Sequence, residues 1–252
     1  MSYIVDYAKL TTQDRNPVKR WLQNLRLNHS LRGLKKTGPD FNGNVLDFGA
    51  GNGELIKRLA GRFPDAQFFC YEPTEGYRKQ AAENLKSVKY VQFPGQTESL
   101  PAGSMDLVFC MEVFEHLPDA VIQTALREID RLLKKDGAAV IGVPVEIHLA
   151  ALWKGLFRIT RRYGETDARL GNILRAIFGH PPRNRDIVQL ESGVPYIIRH
   201  LGFDYRQLRK ELAARFEIRN RFGSPFPYLP VFLNFEVYYV CHPVEKAENT
   251  TL

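Results

Sequence analysis

No apolar run in the 252 residues approaches the roughly 18 needed to cross a bilayer, so a membrane-spanning helix is not expected. Residues Met1 to Leu10 lack the charged-then-apolar pattern of an export signal, and a cytoplasmic setting is expected. Cysteine is scarce. Cys70, Cys110 and Cys241 are odd in number and each lies inside an apolar run. This argues against a disulfide framework or a zinc site and for small buried hydrophobes in a reducing compartment. Internal repeats are absent, and no recognisable nucleic-acid module accompanies the net charge of +7, so a nucleic-acid partner is not expected. Also missing is the G-x-G-x-x-G spacing that cradles a dinucleotide pyrophosphate.

The positive charge that is present is unevenly placed. Residues 1–43 carry eight Lys/Arg against three acids, and residues 146–190 eight against four, which leaves the remainder slightly acidic. Two basic segments on one face could meet anionic lipid or an anionic substrate; a merely solvated basic surface is the plain alternative.

The most informative stretch is Val45-Leu46-Asp47-Phe48-Gly49-Ala50-Gly51-Asn52-Gly53-Glu54-Leu55. It reads as a buried strand, a glycine-rich turn and the start of a helix. Glycines at every second position let the backbone turn sharply and approach a ligand, and the turn offers N–H groups at a helix N-terminus. Asp47 at the strand end would repel a pyrophosphate but suits a ligand bearing an ammonium group. A nicotinamide-dependent oxidoreductase therefore remains only as an alternative.

Four further strands alternate with helices to residue 145. The second runs from Ala66 to Tyr71 and ends in Glu72-Pro73, 25 residues after Asp47, where one carboxylate can accept bonds from two neighbouring hydroxyls. The third, Val88 to Phe93, leads into a loop holding Gln96 and Thr97; the fourth, Met105 to Cys110, continues into Met111 and Glu112. Asp136-Gly137 then turns the chain into the fifth, Ala138 to Val145. Alternation of this kind predicts a doubly wound parallel sheet whose ligand lies outside the strand carboxyl ends, where Asp47, Glu72, Gln96 and Cys110 all fall. Before it, Pro17 to Lys36 has helical periodicity. After it, residues 146–190 are an aromatic and basic insertion, and a helix (Tyr205 to Ala214) and two strands (Phe216 to Phe222, Phe232 to Cys241) follow.

These residues resemble the class I S-adenosylmethionine (SAM) dependent methyltransferases, whose first motif has the D-x-G-x-G-x-G form. The resemblance covers 44–145 by motif and 200–243 by pattern. It implies an α/β fold with a Rossmann-like, doubly wound, seven-stranded, mostly parallel sheet and an antiparallel last strand. Outside the resemblance the chain divides into an N-terminal helical extension (1–43), an insertion at 146–199 expected to roof an acceptor, and a tail (244–252). SAM would lie among Asp47, Gly49, Gly51, Gly53, Glu72, Pro73, Gln96, Thr97, Cys110 and Met111, with Glu72 on the ribose. Gln96 stands where similar enzymes place an acid on the adenine amino group, and its carbonyl can accept the same bond. A SAM-binding but silent partner subunit is a further alternative.

The run from Cys110 to Asp119 looks like the ubiquinone-biosynthesis O-methyltransferases, which hold a divalent metal with such a cluster. Glu112, Glu115 and His116, spaced i, i+3 and i+4, would share one helix face and could hold Mg²⁺. Without metal, His116 with Glu115 would serve as base or loop orienter, and His148 is a second base candidate on the same rim. His29, His180, His200 and His242 read as structural or exposed. The acceptor is expected to be a small or lipid-linked molecule methylated on oxygen. Trp153, Leu156, Phe157 and Ile159, interleaved with Lys154, Arg158, Arg161 and Arg162, suit either an interfacial helix on an anionic membrane or a folded lid.

Overall fold

A computed structural model describes residues 17–34, 37–162, 165–190 and 192–244. Helix α1 (Pro17–Ser30) and a 3₁₀ turn (Leu31–Leu34) precede strand β1 (Asn44–Phe48). There follow α2 (Glu54–Arg62), β2 (Gln67–Tyr71), α3 (Glu75–Asn84), β3 (Val91–Gln92), β4 (Met105–Met111), α4 (Asp119–Leu132) and β5 (Leu133–Pro144). The insertion forms α5 (Leu149–Arg162), α6 (Leu170–Ile177) and a hairpin of β6 (Ile187–Gln189) and β7 (Pro195–Ile197). The chain ends with α7 (Tyr205–Ala213), β8 (Phe216–Ser224) and β9 (Glu236–Pro243).

Seven strands form one sheet in the order β3-β2-β1-β4-β5-β9-β8, parallel except that β9 runs against both its neighbours. The expected doubly wound sheet with an antiparallel last strand is the one found. Winding reverses between β1 and β4, which opens a crevice at their carboxyl ends. Central strands β1, β4 and β5 are buried almost throughout, as strands covered on both faces must be. Helix α4 seals one face with Ile122, Ala125, Leu126, Ile129 and Leu132, a stripe at helical spacing. Glu54 and Arg62 sit at the ends of α2 where each complements the helix dipole.

Boundaries differ from the periodicity in several places; β9, for one, begins at Glu236, and Phe232 lies in a 3₁₀ turn (Val231–Leu233) before it. Strand β3 is only two residues long. Strand β5 begins at Leu133 and carries Asp136-Gly137 through an irregularity opposite β4, so those residues do not turn the chain. A Cβ on Gly137 would lie 3.0 Å from the carbonyls of Lys134 and Met105, so the strands close only over a glycine. Helix α1 stops at Ser30, and residues 35–36 lie outside the described residues. Tyr238 on β9 donates to the Arg26 carbonyl (2.9 Å), and the His29 ring bonds Ser224 (2.9 Å), which fastens α1 across the sheet edge above the crevice. None of the described helices is long and apolar enough to cross a membrane.

Candidate active site

The glycine turn after β1 is built as its spacing demands. Gly49, Gly51 and Gly53 have φ of +81°, +55° and +79°, a region closed to most side chains. At Gly49 a Cβ would also lie 2.5 Å from Val113 Cγ2. Gly49→Ala is therefore expected to destabilise the fold by at least about 1–2 kcal/mol, read from urea unfolding. Above Gly51 a Cβ would meet nothing within 4 Å, so the backbone there faces open space. Its N–H donates to Glu72 Oε2 (2.9 Å) while the Thr74 N–H donates to Oε1 (2.8 Å). Each carboxylate oxygen of Glu72 is thus aimed, with lone pairs to spare.

The turn borders a cleft lined by Asp47, Gly49, Gly51, Asn52 and Glu54 below, Met111 and Glu112 at the end of β4, and Gln23, Arg26 and Leu27 from α1 above. Asp47 is buried, and desolvation, with Glu72 nearby, pushes its carboxyl up to about 7. A cation arriving beside it would relieve that cost. Asn52 is buried with its side-chain amide nitrogen without a hydrogen-bond partner.

Of the residues expected around a cofactor, Asp47, Gly49, Gly51 and Met111 line this cleft, and Glu72 joins through Gly51. Gly53 packs behind, where Leu85 would stand 2.8 Å from a Cβ. Cys110 is fully buried inside β4. The Pro73 carbonyl accepts from Arg78 (3.4 Å), and the Thr97 carbonyl accepts from Arg131 (3.0 Å). Gln96 is exposed just ahead of the Thr97–Ser99 turn. Sequence reasoning did not name Gln23, Arg26, Leu27 or Asn52. The α1 residues reach the cleft only because α1 folds back over the sheet.

The predicted carboxylate–histidine face does not form. Glu112 adopts φ +56°, and Phe114–His116 is a single 3₁₀ turn, so no α-helix carries Glu112, Glu115 and His116 together. Glu112 instead pairs with Arg26 (2.7 Å). Burial opposes its ionisation, yet Arg26 and a hydrogen bond with Glu236 hold its pKa down at about 2. Glu115 is wholly buried with both carboxylate oxygens unpartnered; burial and Glu112 push its pKa well above the ordinary value, so it keeps its proton.

The His116 Nδ1–H donates to the Ile197 carbonyl (2.7 Å), which leaves Nε2 as the lone-pair nitrogen, 3.2 Å from His200 Nε2. The ring stacks on Tyr196 at 4.5 Å between centroids. Burial lowers its pKa against the pull of Ile197 and Glu112, so it is a neutral base at pH 7. His200, read from sequence as structural or exposed, belongs to this cluster, with Nδ1 4.0 Å from Glu146. Nothing local in the sequence marks it, because the β6–β7 hairpin carries it there.

Among the described residues, the set whose possible ligating atoms converge within 4.8 Å is Glu115, His116 and His200, two imidazoles and one carboxylate. Magnesium prefers oxygen donors and keeps several waters, so this set does not suit the expected Mg²⁺. His148 also departs from expectation. Its Nδ1 bonds the Ile177 carbonyl (3.3 Å) and its ring abuts Gly179, within the insertion and outside the His116 cluster. Glu146 is buried between Lys154 (2.9 Å) and Arg158 (2.7 Å).

Residues 46–141 match a protein family described as a methyltransferase domain. Over that stretch, from β1 into β5, the chain is similar to the methyltransferases. A malonyl-[acyl-carrier protein] O-methyltransferase of Geobacter sulfurreducens is 35% identical over 96 residues, 37% of this chain and 35% of that protein. A ubiquinone biosynthesis O-methyltransferase of Escherichia coli is 33% identical over 106 residues, 41% of this chain and 43% of that protein. The chain thus matches well under half the length of these curated relatives. Among solved structures, the PH0226 protein of Pyrococcus horikoshii superposes with a TM-score of 0.58 at 14% identity, covering 95% of this chain and 99% of that one. A SAM-dependent methyltransferase from Aquifex aeolicus gives 0.55 at 16%, covering 88% and 93%. At such identity the superpositions show a shared fold and no more.

Proposed function

We propose that the protein binds SAM in the cleft beneath α1 and transfers its methyl group to a hydroxyl of a small or lipid-linked acceptor. The observation that carries this reading is the buried Asp47 carboxyl at the head of a glycine turn open to a ligand. Asp47 would take the SAM ammonium group, the Gly49–Gly51 backbone its amino-acid portion, and Glu72 the ribose hydroxyls. Bound SAM supplies an electrophilic methyl on a sulfonium. The chain's own residues then need to hold the acceptor in line and remove its proton.

His116 is the residue suited to that proton: Ile197 engages its Nδ1–H, and its neutral Nε2, which accepts from His200 Nε2–H, would exchange that bond for one from the acceptor hydroxyl. His200 positions it, and the hairpin bearing Tyr196 and Ile197 closes over it, which fits the insertion as a roof on the acceptor. Oxygen as the methylated atom draws support from the names of the two O-methyltransferase relatives. A nicotinamide cofactor is disfavoured because its pyrophosphate would sit beside Asp47 and Glu72.

Calorimetry with SAM and with NAD separates the two cofactors, and turnover of a hydroxyl acceptor separates an enzyme from a silent SAM-binding subunit. The same titration tests Asp47. Its carboxyl titrates at about 7 rather than 3.8 in the free protein, so the folded state gains stability from the proton, and that gain declines as pH rises from about 4 to 7. A cationic ligand needs the ionised form. SAM affinity is therefore expected to fall up to about tenfold per pH unit below pH 7. Affinity flat from pH 8 to 5.5 would remove Asp47 from the site.

A further inference from the structure

Helix α5 is amphipathic in the opposite sense to a water-facing lid. Its cations Lys154 and Arg158 turn inward onto Glu146. Leu149, Trp153, Leu156 and Phe157, spaced i, i+4, i+7 and i+8, stand 37%, 55%, 51% and 54% exposed. The neighbouring α6 and its end repeat the pattern with Leu170, Leu174 and Phe178, 62%, 44% and 73% exposed at i, i+4 and i+8. The 3₁₀ turn Val231–Leu233 packs beside α5 and adds Phe232. Exposed apolar side chains in this number on adjoining elements are unfavourable in water unless something covers them.

The charges carried by the two helices themselves have one sign, while Glu165 and Asp186 on the flanking segments are drawn to Arg199. Neither α5 nor α6 contains an Asp or Glu. Exposed cations flank the apolar stripes: Arg161, whose guanidinium lies 4.3 Å from the Phe157 ring centroid, with Arg169 and Arg175 on and beside α6. We propose that this α5–α6 face docks on an anionic membrane, its aromatic and aliphatic side chains at the headgroup–acyl boundary and its arginines at the headgroups. Charge complementarity selects this occupant over a second copy of the chain. Two such faces meeting symmetrically would bring arginine against arginine with no carboxylate from either helix to offset them. The surface is independent of the methyl-transfer reading; where that reading holds, the docked insertion brings the roof of the acceptor site to the lipid surface.

The chain has two tryptophans, so Trp21→Phe leaves Trp153 as the sole tryptophan probe of the face. On vesicles of phosphatidylglycerol and phosphatidylcholine at low salt, its emission is expected to shift to the blue and be quenched by brominated acyl chains, with both effects weaker at high salt. Arg161→Glu with Arg175→Glu is expected to weaken vesicle binding at least about tenfold. Trp153→Ser with Phe157→Ser, followed by co-sedimentation, is expected to do the same. These side chains are exposed, so the variants should stay folded, and calorimetry with SAM on the same proteins reports on the cofactor site separately. Emission unchanged on anionic vesicles at low salt overturns the proposal. A blue shift without vesicles, together with a dimer mass in light scattering, also overturns it and assigns the face to a second copy.

Discussion

Glu72→Ala is expected to lower SAM affinity by about 1.5–3 kcal/mol, roughly ten- to a hundredfold, with the loss appearing in calorimetry at neutral pH. The size follows from how the carboxylate is held. Its two oxygens already accept from Gly51 and Thr74 N–H groups, so they are fixed before a ligand arrives and present their remaining lone pairs without an ordering cost. Alanine would remove both the proposed bonds to the ribose and the anchor of the glycine turn. Glu72→Gln separates these two effects. One amide oxygen can still accept from a backbone N–H, but the amide nitrogen would face the other donor, so an intermediate affinity is expected. Asp47→Ala should weaken binding as well, and should abolish the pH dependence that Glu72→Ala leaves in place. Wild-type affinity in Glu72→Ala would end the ribose assignment.

The largest effect on turnover is expected at His116. Its replacement by alanine should slow methyl transfer about 10²–10⁴-fold while SAM still binds. Because burial lowers the pKa of His116 below 6.5, the wild-type rate should be level at pH 7 and fall only under more acid conditions. His200→Ala should give a smaller loss and move the acid limb of the pH–rate profile, since His200 faces the nitrogen that takes the proton. A purely structural histidine would lower stability without moving that limb. Glu112→Ala should act differently again, by removing a carboxylate that pairs with Arg26 at the cleft, and its effect should fall on SAM binding. If His116→Ala turns over at the wild-type rate, the base lies elsewhere in the site.

The parts of this cleft that local chemistry dictates are legible in the sequence. Gly49 and Gly51 are marked because a sharp turn needs positive φ, and Asp47 and Glu72 because they stand at the ends of β1 and β2. The Glu112–Glu115–His116 cluster misled for an equally physical reason. Spacing of i, i+3, i+4 implies a shared face only in an α-helix, and the chain leaves β4 through a left-handed residue and a 3₁₀ turn instead. In that geometry Glu112 points to α1, Glu115 into the core and His116 towards β7.

By itself, then, the sequence determined the doubly wound sheet and the phosphate-averse glycine turn, since alternating apolar runs and a strand-end aspartate act over a few residues. Only the tertiary structure decided what closes the site. Arg26 reaches the cleft because α1 is fastened across β9 by Tyr238. His200 meets His116 from 84 residues away because the β6–β7 hairpin folds over the turn. The orientation of α5 was likewise undecided by its composition. Its pattern of cations and aromatics is compatible with either face inward, and it was the buried Glu146, drawing Lys154 and Arg158 towards it, that turned the aromatics outward.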